Sequence, residues 1–470
     1  MRRLEERSTM TSAAARFSVL VVALGFAACG SVTSNAGAGG SGGVAAAGSG
    51  GAGAATGTGG GGAGNADAGG DGPAVVVGDV TYYRDVQPIV QKRCQTCHTD
   101  NGIAPFALLT YDDAKMHAPD MAAQTTARVM PPWLPAPGCG DFRDSRRLTD
   151  LEVATLAAWN QAGAPAGNVA DAPPSAVPAG ANLGTPGATL DPGATYHANA
   201  ALTDDYHCFL IDPAIAAQKD LIGFDIHPGV RAAVHHVLLY AIPASSVTEA
   251  KTKDDGEVGI GWTCFGGTGV TGAQTVGGWV PGAGATAFPA PTGIPMAAGT
   301  QIVMQIHYNL LVQKDVTDRT TADLFFSATP VAKPAAIFAV ANLTFDVPAG
   351  TKSQTVVGQL AIKSNAALWG VVPHMHLHGT KIQVDILHAG GGTDCAIDIP
   401  QWDFHWQQFY YYQQPTMVGP GDTVRISCTF DNSPENQPVV NGVALTPADL
   451  RWGEKTTDEM CLNYLYAAIP

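Results

Sequence analysis

The residues best suited to chemistry in this chain are histidines placed where an extended strand would gather them. In "VVPHMHLHGTK", His374, His376 and His378 occupy every second position. Successive side chains of a strand point to opposite faces, so the three imidazoles are expected on one face and Pro373, Met375 and Leu377 on the other. Two further runs carry histidine: "AVHHVLLY" with His235 and His236, and "TQIVMQIHYNLL" with His307. In the latter, Ile302, Met304, Ile306 and Tyr308 alternate with Gln305, His307 and Asn309, which predicts a strand with the two sets on opposite faces. Neighbouring His235 and His236 would point to opposite faces of a regular strand. Near the end, "TTDEMCLNYLY" puts Met460 and Cys461 on opposite faces of a last strand. Imidazole binds both oxidation states of copper, and a thioether is a soft donor that favours Cu(I).

A different chemistry is written in "RCQTCHTD". Cys94, Cys97 and His98 form C-x-x-C-H, two thiols spaced to attach a haem through thioethers and a histidine to ligate its iron. The absence of a second C-x-x-C argues against a zinc site.

These groups need positioning elements. "RDVQPIVQKRC" reads as a helix leading into the motif. "TDLEVATLAAWNQAGAP" reads as a closing helix, with Thr149 and Glu152 as a capping box, Val153, Leu156 and Ala157 inward, and Gly163 as the stop. The surroundings resemble small class I cytochromes c over residues 80–168, and Met130 in "RVMPPW" stands where their distal iron ligand is found. Met116, His117 and Met121 lie nearby as alternatives. After a Pro/Ala-rich linker at 169–199, short alternating runs separated by Gly, Pro and Asp turns predict antiparallel β-sandwiches.

Together, H-H, Q-x-H-Y, H-x-H-x-x-G-x-K and D-E-M-C resemble, in that order, the type II copper, ascorbate-dependent monooxygenases of the peptidylglycine α-hydroxylating and dopamine β-monooxygenase kind. The resemblance runs from about Tyr206 to the end. It implies two jelly-roll-like sandwich domains, 200–332 and 333–470, each holding one copper and facing the other across a watery cleft. His235, His236 and His307 would bind an electron-storing copper. His374, His376 and Met460 would bind the copper at which O2 is activated and a small organic substrate hydroxylated, with ascorbate or another one-electron donor, or a redox partner protein, as reductant. His378 falls on no ligand position and is expected behind the ligands or at the surface. Tyr206, Gln305 and Tyr464 would line the cleft. The resemblance also implies disulfides Cys208–Cys264 and Cys428–Cys461, and leaves Cys139 and Cys395 unassigned. Val372 stands where the peptide-acting members carry an arginine for a carboxylate, so a peptide C-terminus is not the expected substrate. In the rival, non-catalytic reading, the chain is a cell-surface electron carrier or copper-binding protein.

The chain has 470 residues, 46% hydrophobic and 14% charged, enough to bury several cores. A formal net charge of −15 argues against nucleic acid and against an anionic membrane face as partners. The first 29 residues contain the apolar run "FSVLVVALGFAA" followed by Cys29, which resembles a lipoprotein signal peptide with a lipidated cysteine; ordinary secretion with cleavage near Ala28 is the alternative. Residues 30–79 are rich in Gly and Ala, lack the apolar surface to fold, and are expected to form a flexible tether. Either leader places the protein outside the cytoplasm, anchored to the cell envelope in the lipoprotein case.

Overall fold

The structure, a computed structural model, describes residues 79–468 apart from 101–103, 175–182, 266, 281–282, 311–312, 441–442, 454 and 456. The signal-peptide segment, Cys29 and nearly all of the tether lie outside the described residues. Among those described, no helix is long and apolar enough to cross a membrane.

Helices dominate the segment around C-x-x-C-H. Helix α1 (Gln87–Arg93) leads into Cys94, and α2 (Tyr111–Met116), α3 (Ala118–Thr126) and α4 (Asp150–Gln161) follow. Thr149 and Glu152 cap α4 reciprocally, and Gly163 beyond its end has φ +80°, as a helix stop requires. Leu156 and Trp159 of α4 are buried with Tyr82, Val86 and Val90 in a small separate core.

The rest is β-sheet, apart from short helices such as α5 (Val247–Asp254). The strands that position the site are β1 (Ala188–Leu190), β2 (Asp204–Ile211), β3 (Lys219–His227), β4 (Val234–Ile242), β5 (Trp262–Thr263), β6 (Gln274–Trp279), β7 (Thr286–Ala287), β8 (Thr292–Met296) and β9 (Gln301–Asn309). They continue as β10 (Thr321–Phe326), β11 (Lys333–Asn342), β12 (Gln354–Ala361), β13 (Ala366–His374), β14 (Gly379–Leu387), β15 (Thr393–Ile399), β16 (Tyr410–Val418), β17 (Thr423–Phe430) and β18 (Cys461–Ala468). A five-stranded sheet has the order β5-β2-β9-β4-β6, and a four-stranded sheet the order β12-β17-β14-β15. A nine-stranded sheet, β1-β10-β3-β8-β11-β18-β13-β16 with β7 on β3, runs through both halves.

The two halves are therefore not free-standing sandwiches. A short parallel pairing of Lys333 and Pro334 with Thr292 and Gly293 joins them into one sheet. Strand β18 serves two cores: Tyr466 and Ala468 pack into the first with β4 and β9, Leu465 and Ala467 into the second with β14 and β17. Its alternation is that of a strand buried on both faces.

Disulfides join Cys208 with Cys264, Cys428 with Cys461, and Cys139 with Cys395. The last ties the segment after Met130 to β15. Around it the Ala136 N–H donates to the Asp398 carbonyl at 2.7 Å, Arg143 N–H to Tyr411 at 2.7 Å and Gln413 N–H to Asp141 at 2.8 Å. Phe142 is buried in the core beneath the four-stranded sheet. Residues 136–143, assigned to the haem module by sequence, are thus bound into the C-terminal sandwich.

Candidate metal centres

The first histidine set sits on adjacent strands. β9 pairs antiparallel with β4, His307 opposite His236, and then the register slips so that Tyr308 faces Val234. His235 is the extra residue of a β-bulge, which re-aims side chains locally. That is how two neighbours in sequence reach one point: ligand atoms of His235, His236 and His307 all lie within 4.8 Å of one another. The Nδ1 atoms of His235 and His236 are 3.3 Å apart. His307 donates from Nε2 to Asp204 Oδ1 at 2.8 Å, which sets its tautomer, and its buried Nδ1 has no protein partner. Tyr206 stacks on His307 with ring centroids 4.1 Å apart. Burial pushes His235 and His236 well below the usual imidazole range, and lowers His307 despite Asp204. Three neutral imidazoles with lone pairs converging on a buried point suit a copper ion.

The second set departs from the expected strand. β13 ends at His374, and residues 375–378 form a turn into β14. Gly379, which opens β14, packs closely on Met375: a Cβ there would lie 2.9 Å from the Met375 Cβ. The three histidines therefore do not share a strand face. His374 and His376 line the cleft with Met460, which precedes β18 rather than lying in it. His378 is buried elsewhere, its Nδ1 3.3 Å from Glu459 Oε1. His374 donates from Nδ1 to Gln407 Oε1, and His376 from Nδ1 to the Asp458 carbonyl at 3.0 Å, leaving each Nε2 for a metal. Burial lowers the His374 pKa to about 4 and that of His376 to about 3.

Glu459 organises this corner. It is fully buried, and its carboxylate accepts the backbone N–H groups of His376 at 3.0 Å, His378 at 2.6 Å and Met460 at 3.3 Å. One side chain thus fixes the histidine turn and the Met460 segment together. Burial raises its pKa. Sequence reasoning passed over Glu459, although D-E-M-C contains it.

His236 of the first set and His374, His376 and Met460 of the second border one cleft of about 180 Å³ between the five-stranded and nine-stranded sheets, which Tyr206, Gln305 and Tyr464 also line. Phe404 packs against one histidine of each set. Its ring stacks on His235 at 4.6 Å and meets His376 edge-on at 5.9 Å. Nothing in "DFHWQQFYYY" separates Phe404, Gln407 and Gln408 from ordinary core residues.

At C-x-x-C-H, His98 donates from Nδ1 to the Phe106 carbonyl at 3.0 Å, leaving Nε2 for an iron. Cys94 and Cys97 are unpaired and partly buried, and burial pushes the Cys94 thiol up to about 12. Free thiols beside an oriented imidazole fit covalent haem attachment. Met130 borders a small cavity with Pro131, Trp133 and Leu148. Of the alternatives, Met121 is buried in the helical core, His117 stacks on Phe106 at 3.7 Å and Met116 is 75% exposed. The Arg146 charge offsets part of the burial that raises the Cys97 thiol, and its Nη2 donates to Gln408 Oε1. Gln408 and its neighbour Gln407, which holds His374, both line the cleft.

Residues 347–468, the region of the second histidine set and Met460, match the family model described as copper type II ascorbate-dependent monooxygenase, C-terminal domain. Among individual proteins, the chain is similar to a tyramine beta-hydroxylase of Caenorhabditis briggsae, 22% identical over 208 residues, 41% of this chain and 34% of that protein. It is 23% identical over 287 residues to DBH-like monooxygenase protein 1 of Gallus gallus, 56% of this chain and 42% of the relative. A dopamine beta-hydroxylase of Canis lupus familiaris is 26% identical over 93 residues, 20% and 13% of the two chains. The chain spans less than half the length of these curated relatives.

Proposed function

We propose that the protein is a copper-dependent monooxygenase that inserts one oxygen atom into an activated C–H bond of a small organic substrate: R–H, O2, two electrons and two protons give R–OH and water. One observation carries this reading: His236 of a three-imidazole set borders the same cleft as a two-imidazole, one-thioether set. A passive copper store needs no second, dissimilar site and no space between sites. The first set would hold one copper, and His374, His376 and Met460 the other. Copper there would supply one-electron steps and the activation of O2.

The chain's own residues do the rest. Asp204, Gln407 and the Asp458 carbonyl hold His307, His374 and His376 in single tautomers, Glu459 holds the Met460 segment, and Phe404 packs against His235 and His376. The reading extends to a haem c bound through Cys94, Cys97 and His98, with Met130 on the distal side, as a further one-electron store. Arg146 supports that extension, because its charge acts on Cys97 while its Nη2 donates to Gln408 at the cleft. Export with a lipid anchor at Cys29 belongs to the same proposal, and three disulfides suit an oxidising compartment.

The test is metal analysis, an optical spectrum and 18O2 labelling of exported full-length protein. Two coppers and one haem per chain, with one labelled oxygen per product, are expected. A copper-loaded protein that consumes no O2 with any C–H substrate and reductant contradicts the catalytic reading.

A further inference from the structure

The imidazoles of the two sets are not all held in the same way. His307 donates to Asp204, His374 to Gln407 and His376 to the Asp458 carbonyl. His236 sits in the regular pairing of β4 with β9, and its ring meets Tyr206 edge-on at 6.2 Å. His235 is the extra residue of the bulge, which leaves it unpaired in the ladder. Among the described residues its hydrogen-bond-range partner is His236 Nδ1, itself a candidate ligand atom. The His235 ring meets His236 at 5.5 Å and His307 at 4.9 Å, both edge-on, and stacks on Phe404 at 4.6 Å with 17° between the planes. Among the described residues, Phe404 is thus the one aromatic ring outside the ligand set that touches His235, and it comes from the other half of the protein.

The loop between β15 and β16 holds Phe404 in place. The side chain is buried, and the Phe404 carbonyl accepts from Gln407 Nε2 at 2.8 Å. Trp402 anchors the loop on the side of the second set: its N–H donates to the Thr380 carbonyl at 2.9 Å and its Nε1 to the His376 carbonyl at 3.2 Å. Asp403 accepts the His405 N–H at 2.9 Å and tightens the turn. A flat ring fixed by its loop restricts the rotation of a stacked imidazole and leaves both imidazole nitrogens free for other work.

We propose that Phe404 is a positioning residue of the three-imidazole set, supplied across the cleft by the C-terminal half, and that it aims His235 at a copper shared with His236 and His307. This rests on the copper reading of that set. Without the ring, His235 must be ordered as the metal binds, and that ordering lowers affinity. The His374, His376 and Met460 set depends on Phe404 far less, because Gln407 grips the backbone carbonyl and His376 is held by Asp458 and Trp402.

The test is Cu(I) competition titration of the full-length protein and of Phe404→Leu, which keeps an apolar side chain and removes the ring. Each set is read with the other disabled, by His376→Ala or His307→Ala. The three-imidazole set should bind at least about three-fold more weakly in Phe404→Leu, and the Met460 set less than about two-fold. With His235 already replaced by alanine, Phe404→Leu should cost the first set less than about two-fold, because the ring acts through His235. A smaller loss at the first set, an equal loss at both sets, or the same loss with His235 removed overturns the proposal. If Phe404→Leu lacks native circular dichroism, the copper-free wild type decides: nuclear Overhauser contacts should join the ring protons of Phe404 and His235, and their absence overturns the proposal. Wild-type protein that takes up no Cu(I) at this set contradicts the copper reading and this role together, whereas full affinity in Phe404→Leu contradicts this role alone.

Discussion

Replacing Glu459 by glutamine should loosen the Met460 site and spare the His235, His236 and His307 site. The carboxylate uses both oxygens: Oε2 accepts from the N–H groups of His376 and Met460 at 3.0 and 3.3 Å, and Oε1 from His378 N–H at 2.6 Å and Nδ1 at 3.3 Å. An amide keeps one oxygen and turns an NH2 toward two other donors, leaving them unpaired in a buried site. Each orphaned donor costs about 1–3 kcal/mol. Part of that is offset because Glu459 is itself fully buried, which raises its pKa, so removing its charge relieves desolvation. The net cost is about 2–3 kcal/mol, which, falling on the His376 turn and the Met460 segment, corresponds to Cu(I) binding about 30- to 150-fold weaker. Competition with a chromophoric Cu(I) chelator measures both sites separately. His378→Ala should act in the same direction, since it removes a partner of Glu459. Wild-type Cu(I) affinity and an unchanged copper–sulfur distance in Glu459→Gln would refute this role for the carboxylate.

Replacing Cys139 and Cys395 by serine opens a loop of sequence separation 256. In the chain-entropy treatment its closure is worth on the order of 5 kcal/mol, so the midpoint of chemical unfolding should fall clearly; an unchanged midpoint would contradict the bridge. The copper-free protein should lose stability as pH drops from about 6.5 through about 3, because the unfolded chain takes up protons that buried His374 and His376 refuse. Urea titrations across that range check the sign, and stability rising with acid would contradict it. In haem- and copper-loaded protein, reduced haem should be reoxidised by Cu(II) at a rate independent of protein concentration, and Arg146→Ala should slow it at least ten-fold. Stopped-flow absorbance reads this, and an unaltered rate would remove Arg146 from the path.

What could be read from sequence was whatever is encoded locally. The alternation of Gln301–Asn309 stands as a strand with Ile302, Met304, Ile306 and Tyr308 buried, and the Thr149–Glu152 box starts α4. What failed was set by long-range or irregular geometry. Strict alternation separates His235 from His236, whereas a bulge against β9 brings them together. The same alternation carried through His378, where a turn closed by Gly379 ends the strand. Cys139 and Cys395 pair across 256 residues and join two modules, so neither has a local cue. The parallel pairing that unites the nine-stranded sheet involves Thr292 and Gly293 with Lys333 and Pro334, too short a match to see in a pattern. Phe404 acts only through where its loop is folded, with His235 on one side and His376 on the other.

The central claim is that His374, His376 and Met460, rather than three histidines, hold the second copper. X-ray absorption at the copper edge of the fully reduced, two-copper protein tests it most directly. Sulfur scattering equivalent to one thioether per two coppers is expected, lost in Met460→Leu while the nitrogen shell of the His235, His236 and His307 site persists. All-nitrogen coordination at both coppers in the wild type would contradict it, as would sulfur scattering that survives in Met460→Leu.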